Sequence, residues 1–220
     1  DMIQANQWKR PIYFSTTVNT TDFMGLMPYF QLEGLAYRLL PAKNPTPDPR
    51  QNGFVARELM HRNMMTKFAF RGLDNPQIFN DENALRFPAN VRDKLSILAE
   101  THLTAGDKTR AKQVLDAAFR WMPDKSIPYD YYTPQFVKPL VDVGERARAL
   151  EIMDVMSARA VKSLNYYQNN DPRQLFDNEV RMNVIILQNL AVAAQDIGDM
   201  ERAARYQQLF QQYYNPAGGM

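Results

Sequence analysis

Residues 93–123 read DKLSILAETHLTAGDKTRAKQVLDAAFRWMP. Leu95, Leu98, Ala99 and Leu103 form an apolar stripe, Gly106-Asp107 interrupts it, and Ala111, Leu115 and Ala118 form a second stripe ended by Pro123. Residues three and four apart share one face of a helix, so each stripe reads as one amphipathic helix. The glycine between them supplies the positive φ that closes a helix C-terminus. Small residues let two antiparallel helices approach closely. The order of large, Leu-plus-small, turn, Ala, large, Ala and Pro is that of a tetratricopeptide hairpin.

The pattern recurs twice. Leu187, Leu190, Ala191 and Ala194 precede Gly198-Asp199, with Ala203, Phe210 and Pro216 after it. A weaker middle copy places Phe136, Val137 and Leu140 before Gly144-Glu145, then Ala149, Met153 and Met156. In all three the glycine precedes an alanine by five residues: Gly106 and Ala111, Gly144 and Ala149, Gly198 and Ala203. The glycines are 38 and then 54 residues apart, against about 34 for the standard repeat. The longer interval predicts a long helix from about Glu145 to Gln168, with a loop over Asn169 to Pro172. The expected fold is mainly α, about three tetratricopeptide-like helical hairpins, with a small N-terminal α+β region containing short strands. The expected division is residues 1–56 for that region and 57–220 for the helical-repeat domain.

The first region has a different texture. Ile12, Phe14, Thr16 and Val18 alternate with Tyr13, Ser15 and Thr17, the period of a half-buried strand. Pro11 suits its first position, where no ladder donor is needed. A second strand is expected from Leu35 to Leu40, ended by Pro41. Gly34 weakens any regular element that contains it. Pro41, Pro45, Pro47 and Pro49 then make a rigid loop, and the Asn52-Gly53 turn leads into a third short strand. From Arg57 the period becomes helical, with Leu59, Met60, Met64 and Phe68 on one face. Asp81 is a cap for the next helix, and Pro88 must sit near its start or kink it.

Composition narrows the function. The chain has 220 residues, 45% of them apolar and 23% charged, enough for a real core. Lys plus Arg is 26 against 24 Asp plus Glu, with no basic run, so a nucleic-acid partner is not expected. There is no cysteine, and the only histidines, His61 and His102, lack metal-ligand spacing. No metal and no cofactor are expected. The longest apolar run, Val184 to Ala194, is broken by Gln188 and Asn189, so no membrane span is expected. Because Asp1 is not a natural start, the sequence is expected to be a piece of something longer. No phosphate-binding glycine loop, nucleophile elbow or paired-carboxylate signature is present. Tyrosines stand out instead: Tyr129, Tyr131 and Tyr132 between the first two repeats, and Tyr166 and Tyr167 at the end of the long helix. A tyrosine offers an apolar face with a polar handle, which suits peptide or glycan binding as well as packing between repeats.

Two N-terminal stretches carry a family resemblance. They are Trp8-Lys9-Arg10-Pro11-Ile12-Tyr13-Phe14 and the run from Tyr29 through Gly34 and Tyr37 to Pro41. The segments Asp74-Asn75-Pro76 to Asp81-Glu82-Asn83 and Pro128-Tyr129-Asp130-Tyr131 add to it. Together they resemble the C-terminal region of a bacterial family of multi-spanning membrane proteins of unknown function. That family is related to the protein O-mannosyltransferases and is glycosyltransferase-like. The resemblance implies a catalytic membrane half that this chain does not match, so no catalytic residue is carried over. It implies a non-catalytic extracytoplasmic, periplasmic accessory domain that positions a protein, peptide or glycan acceptor beside the membrane-spanning portion of the same polypeptide. Trp8, Arg10, Pro11, Glu33, Gly34 and Tyr37 would be structural members of the motif. Glu33 is expected to pair with Arg10 or Arg38, with an acceptor or phosphate contact at Arg38 as the functional alternative. A free-standing tetratricopeptide adaptor for peptides is the second reading. An autonomous sugar-processing enzyme ranks last.

Overall fold

The computed structural model describes residues 2–44, 53–170 and 177–214. The expected turn and loop residues Pro45, Pro47, Pro49, Asn52, Pro172 and Pro216 lie outside them. The chain is mainly helical with a small N-terminal sheet, and it forms two compact units, Asp1–Ile127 and Pro128–Met220. The change of texture at residues 56 and 57 falls inside the first unit.

The first unit begins with a short helix α1 (Met2–Asn6), followed by strands β1 (Tyr13–Ser15), β2 (Phe30–Leu32), β3 (Ala36–Leu39) and β4 (Phe54–Val55). Helices α2 (Arg57–Arg62), α3 (Glu82–Thr104) and α4 (Lys108–Trp121) complete it. The sheet order is β1-β3-β2-β4, with β4 parallel to β2 and the other pairs antiparallel. The alternation over residues 12–18 is realised: Ile12, Phe14, Thr16 and Val18 are partly buried while Tyr13, Ser15 and Thr17 are exposed. Only Tyr13–Ser15 is paired, so the strand is shorter than the pattern. The strand expected from Leu35 to Leu40 is β3, and a strand not expected, β2, precedes it and pairs with it as a hairpin. β2 and β3 meet across a turn at Gly34, whose φ of +140° favours glycine. A Cβ on Gly34 would stand 3.0 Å from the Phe68 ring, so the glycine also admits the π-helical turn Asn63–Lys67 that extends α2.

The register sorts the side chains. Phe14, Tyr37, Leu32 and Val55 form a cross-strand row on the core face, and Tyr13, Arg38, Gln31 and Phe54 form the row on the opposite face. Phe14, Phe23, Phe30 and Tyr37 make an aromatic cluster with ring centroids 4.9–6.1 Å apart. Helix α3 is bonded to this region through Asn90, whose amide meets the Thr16 hydroxyl at 3.0 Å. The Lys94 ammonium lies 6.0 Å from the Tyr37 ring centroid. Pro88 sits in the second turn of α3 and is buried there, while the Asp81 carboxylate caps the helix at Ala84 N.

The second unit contains α5 (Val137–Asp142), α6 (Arg146–Asn170), α7 (Asp177–Asp196) and α8 (Met200–Tyr213). The predicted long helix is α6. Its partner α5 is short and is led in by the 3-10 turn Thr133–Phe136, which explains the weak middle copy. A core of Ala160, Leu164, Val184, Leu187 and Tyr213 joins α6, α7 and α8.

The three glycine turns are the same structure. Gly106, Gly144 and Gly198 have φ of +77°, +91° and +72°. Each glycine N–H bonds the carbonyl three residues back, and the next N–H bonds the carbonyl five back: Asp107 to His102, Glu145 to Leu140, Asp199 to Ala194. This double closure satisfies carbonyls left open at a helix end. The carbonyls of Asp107, Glu145 and Asp199 then accept the N–H of Ala111, Ala149 and Ala203, which are 0–2% exposed. A Cβ on Gly106 would meet no heavy atom within 4 Å. Gly106→Ala should therefore lose only the backbone preference, about 1–2 kcal/mol, read as a lower midpoint of urea unfolding with an unchanged slope.

Candidate functional site

In the first unit the open sheet face carries Tyr13, Arg38, Gln31 and Phe54 in register. Tyr13 and Phe54 are 49% and 39% exposed. Beside them Glu33 is buried, and both of its carboxylate oxygens are engaged. The Tyr13 hydroxyl donates to one at 3.1 Å and the Gln31 amide to the other at 2.8 Å. Burial first, and then the Glu33 charge, raise the Tyr13 pKa above its ordinary value, so the phenol stays protonated and donates. The Arg38 guanidinium lies 3.8 Å from Glu33, an ion pair too long for a hydrogen bond. Of the two expected partners for Glu33, the structure pairs it with Arg38. Arg10 is exposed, and its backbone N–H and C=O are clasped by the Asn6 amide at 2.9 Å each. The link from Glu33 to the helices is made by its main chain, whose carbonyl accepts from Asn63 Nδ2 at 2.7 Å.

Of the motif residues, Tyr37 is in the core, Pro11 is exposed, and Trp8 is 44% exposed with a φ of +59°. A groove of about 530 Å³ runs beside β4, lined by Gln31, Phe54, Val55, Ala56, Arg57, Glu58, Leu59 and Thr101.

A second feature was hidden by sequence distance. The His61 Nδ1 and His102 Nε2 atoms are 3.0 Å apart, although 41 residues separate them in the chain. His102 is fully buried, and its Nδ1 has no hydrogen-bond partner. His61 lines a groove of about 520 Å³ with Glu58, Leu59, Arg62, Thr66 and Arg110. Arg110 ties this wall together, donating to Glu58 at 2.6 Å and pairing with Asp107 at 3.5 Å. Among the described residues no group of three or more His, Cys, Asp and Glu could hold a metal ion. Desolvation, then the neighbouring His61, hold the His102 pKa down to about 4, and desolvation followed by Arg110 lowers that of His61.

The tyrosines of the second unit form two separate groups. Tyr131 and Tyr132 pack with ring centroids 4.3 Å apart, and the Tyr131 carbonyl accepts from Asn189 on α7. Tyr129 beside them is partly buried. Tyr166 is 60% exposed, and the Tyr167 hydroxyl bonds Glu179 near the start of α7. Ten residues of helix separate Glu179 from Asn189, about 15 Å, so the two groups do not converge on one site.

A family model described as TMEM260-associated domain 2 matches residues 1–59. That span covers the whole sheet and the start of α2, and a little over a quarter of the chain. The match is consistent with the mannosyltransferase-related resemblance of the N-terminal motifs, and it suggests a membrane-protein context. Among the described residues no helix is long and apolar enough to cross a membrane. No curated protein and no solved structure matches the chain.

Two outcomes follow from the side-chain geometry. Arg38→Met should cost under about 1 kcal/mol, because a half-exposed guanidinium 3.8 Å from its partner contributes little. Glu33→Ala should cost about 1–3 kcal/mol, because it removes a buried acceptor with two donors. Chemical denaturation of the two variants checks the order. Because the folded pKa of His102 lies below the unfolded value near 6.5, the unfolded chain binds more protons between the two. Stability is thus full above about pH 6.5 and falls as the pH drops towards 4, by about 2 kcal/mol at pH 5. Urea titrations at pH 7.5 and 5 should show this loss, and His102→Gln should abolish most of it.

Proposed function

We propose that this chain is a non-catalytic, extracytoplasmic accessory region of a membrane-embedded, glycosyltransferase-like protein, and that its first unit positions an acceptor or partner for the membrane portion of the same polypeptide. The observation that carries this reading is the coincidence of the matched span, residues 1–59, with the sheet that presents Tyr13, Arg38, Gln31 and Phe54. Positioning fits the chemistry of that face better than bond-breaking. Its one buried carboxylate, Glu33, is already hydrogen-bonded by Tyr13 and Gln31 and faces a guanidinium. A general acid or base needs a free path to the proton it transfers.

A free-standing peptide adaptor is the competing reading, favoured by the helical hairpins and by the exposed Tyr166. Reading the gene upstream of Asp1 separates the two, since several apolar spans of about 20 residues support the accessory role and a short gene with only an export signal refutes it. In the full-length protein, replacing Tyr13 and Phe54 together by Ala should raise the acceptor KM several-fold while leaving kcat at saturation unchanged. Loss of kcat at unchanged KM would place the face in the chemistry and overturn the positioning role.

A further inference from the structure

The open face of the sheet has an electrostatic asymmetry. Glu33 and Arg38 are the charged groups beside its central row, and Arg57 and Glu58 stand at the groove next to Phe54. Glu33 is 8% exposed in its side chain and accepts hydrogen bonds on both oxygens, whereas the Arg38 side chain is 43% exposed and stands 3.8 Å away. At 3.8 Å, beyond hydrogen-bond distance, the carboxylate attracts the guanidinium without taking up its N–H fork. A guanidinium has five donors in a planar array matched to a carboxylate. Next to Arg38 in register stands Gln31, and next to Gln31 stands Phe54, which is 39% exposed. Gln31 and Phe54 also line the 530 Å³ groove, together with the aliphatic Val55, Ala56 and Leu59 and with Arg57 and Glu58, which pair with each other at 3.1 Å.

We propose that this face docks an extended acidic peptide, with a Glu or Asp carboxylate on Arg38 and a large apolar side chain two or three residues away against Phe54 and the groove beside β4. Neighbouring strands are about 4.8 Å apart, so Arg38 and Phe54, two strands apart, are separated by about 10 Å; an extended peptide covers about 7–10 Å in two or three residues. A neutral sugar could stack on Phe54 but would leave the Arg38 fork without an anion. An aromatic or aliphatic side chain fills an apolar groove, and a bidentate carboxylate fixes its register. The inference rests on the positioning role proposed above and specifies the chemistry of what is positioned.

The test uses the 220-residue chain on an array of immobilised octapeptides. One position is Glu, Gln or Lys, and the position two or three residues on is Leu, Phe or Ser. Neutral oligosaccharides are spotted alongside. Glu peptides carrying Leu or Phe should bind at least tenfold more strongly than their Gln counterparts, with the preference shrinking several-fold between 0.15 and 0.5 M salt. Arg38→Gln should erase the Glu-over-Gln preference, and Arg38→Lys should restore it only in part. Phe54→Ala should weaken binding of the Leu and Phe peptides alone. Lys112→Gln, on the outer face of α4, should change nothing. Thermal melts of each variant confirm that it is folded.

The inference is overturned if no peptide binds, if Glu and Gln peptides bind alike, if the preference survives Arg38→Gln, or if only the oligosaccharides bind. These results leave the accessory role standing where the full-length acceptor KM still responds to Tyr13 and Phe54. Peptide binding without upstream membrane spans defeats the accessory role and leaves this inference standing as the adaptor's specificity.

Discussion

Each helical hairpin depends on a single backbone conformation, the left-handed glycine that ends its first helix. A residue with a Cβ resists that conformation by about 1–2 kcal/mol. Glycine accepts it at Gly106, Gly144 and Gly198, and the two hydrogen bonds that follow fix the exit direction of the chain. The next residue is thereby placed at the N-cap of the second helix. Asp107 and Asp199 use their carboxylates there, accepting from the N–H of Arg110 and Arg202. The fourth residue beyond the cap completes the first turn and is buried, so it must be small. The five-residue offset from glycine to alanine is thus a geometric consequence of the turn. It recurs although the helices on either side differ in length from 6 to 25 residues.

Helix α3 carries the first unit in a different way. From Val91 to Ala99 nearly every side chain is buried, including Arg92 and Lys94. A helix surrounded on all sides needs partners for any polar group it contains. Arg92 donates to the carbonyls of Met122 and Ile127, which ties the end of the unit back to its centre. Lys94 pairs with Asp93 at 2.6 Å and faces Tyr37. His102 is the exception, since one of its nitrogens finds His61 and the other finds no partner. Burying an unpaired polar atom costs about 1–3 kcal/mol, and the same burial disfavours the imidazolium. Burial thus leaves this side-chain atom unsatisfied and, ahead of the neighbouring His61, lowers the His102 pKa.

The repeat chemistry was legible in the sequence because it is local. A glycine, an acidic cap and an alanine lie within six residues, so their spacing alone carries the geometry. The alternation at residues 12–18 was legible for the same reason. The β2–β3 hairpin was not, because Gly34 in a short apolar run weakens a helix, weakens a strand and makes a turn equally well. The antiparallel pairing of Phe30–Leu32 with Tyr37–Leu39 decides. The Glu33–Arg38 pair could be named from proximity in sequence, but the parts played by Tyr13 and Gln31 required the strand register. The histidine pair is long-range: nothing within ten residues of His61 points to His102. Phe54 was missed for a similar reason, since its strand is two residues long and gains its place only from β2.

The two faces of the sheet show why a surface can be built for recognition without being reactive. On one face four aromatic rings and the neighbouring aliphatics exclude water, and their packing fixes the backbone. The register then dictates the other face, because a one-residue slip would send Tyr37 and Leu32 into solvent and Arg38 and Gln31 into the core. The positions of Tyr13, Arg38, Gln31 and Phe54 are therefore set by core packing rather than by contacts among themselves. Glu33 adds the one polar constraint, orienting the Tyr13 hydroxyl and the Gln31 amide while holding Arg38 nearby. A side chain prepositioned in this way loses little rotamer freedom when a partner arrives. Arg38 keeps its donor fork because its guanidinium stands 3.8 Å from Glu33, beyond hydrogen-bond distance. An arrangement in which Glu33 faced Arg38 alone would close on itself as a bidentate pair and present no donor to a ligand.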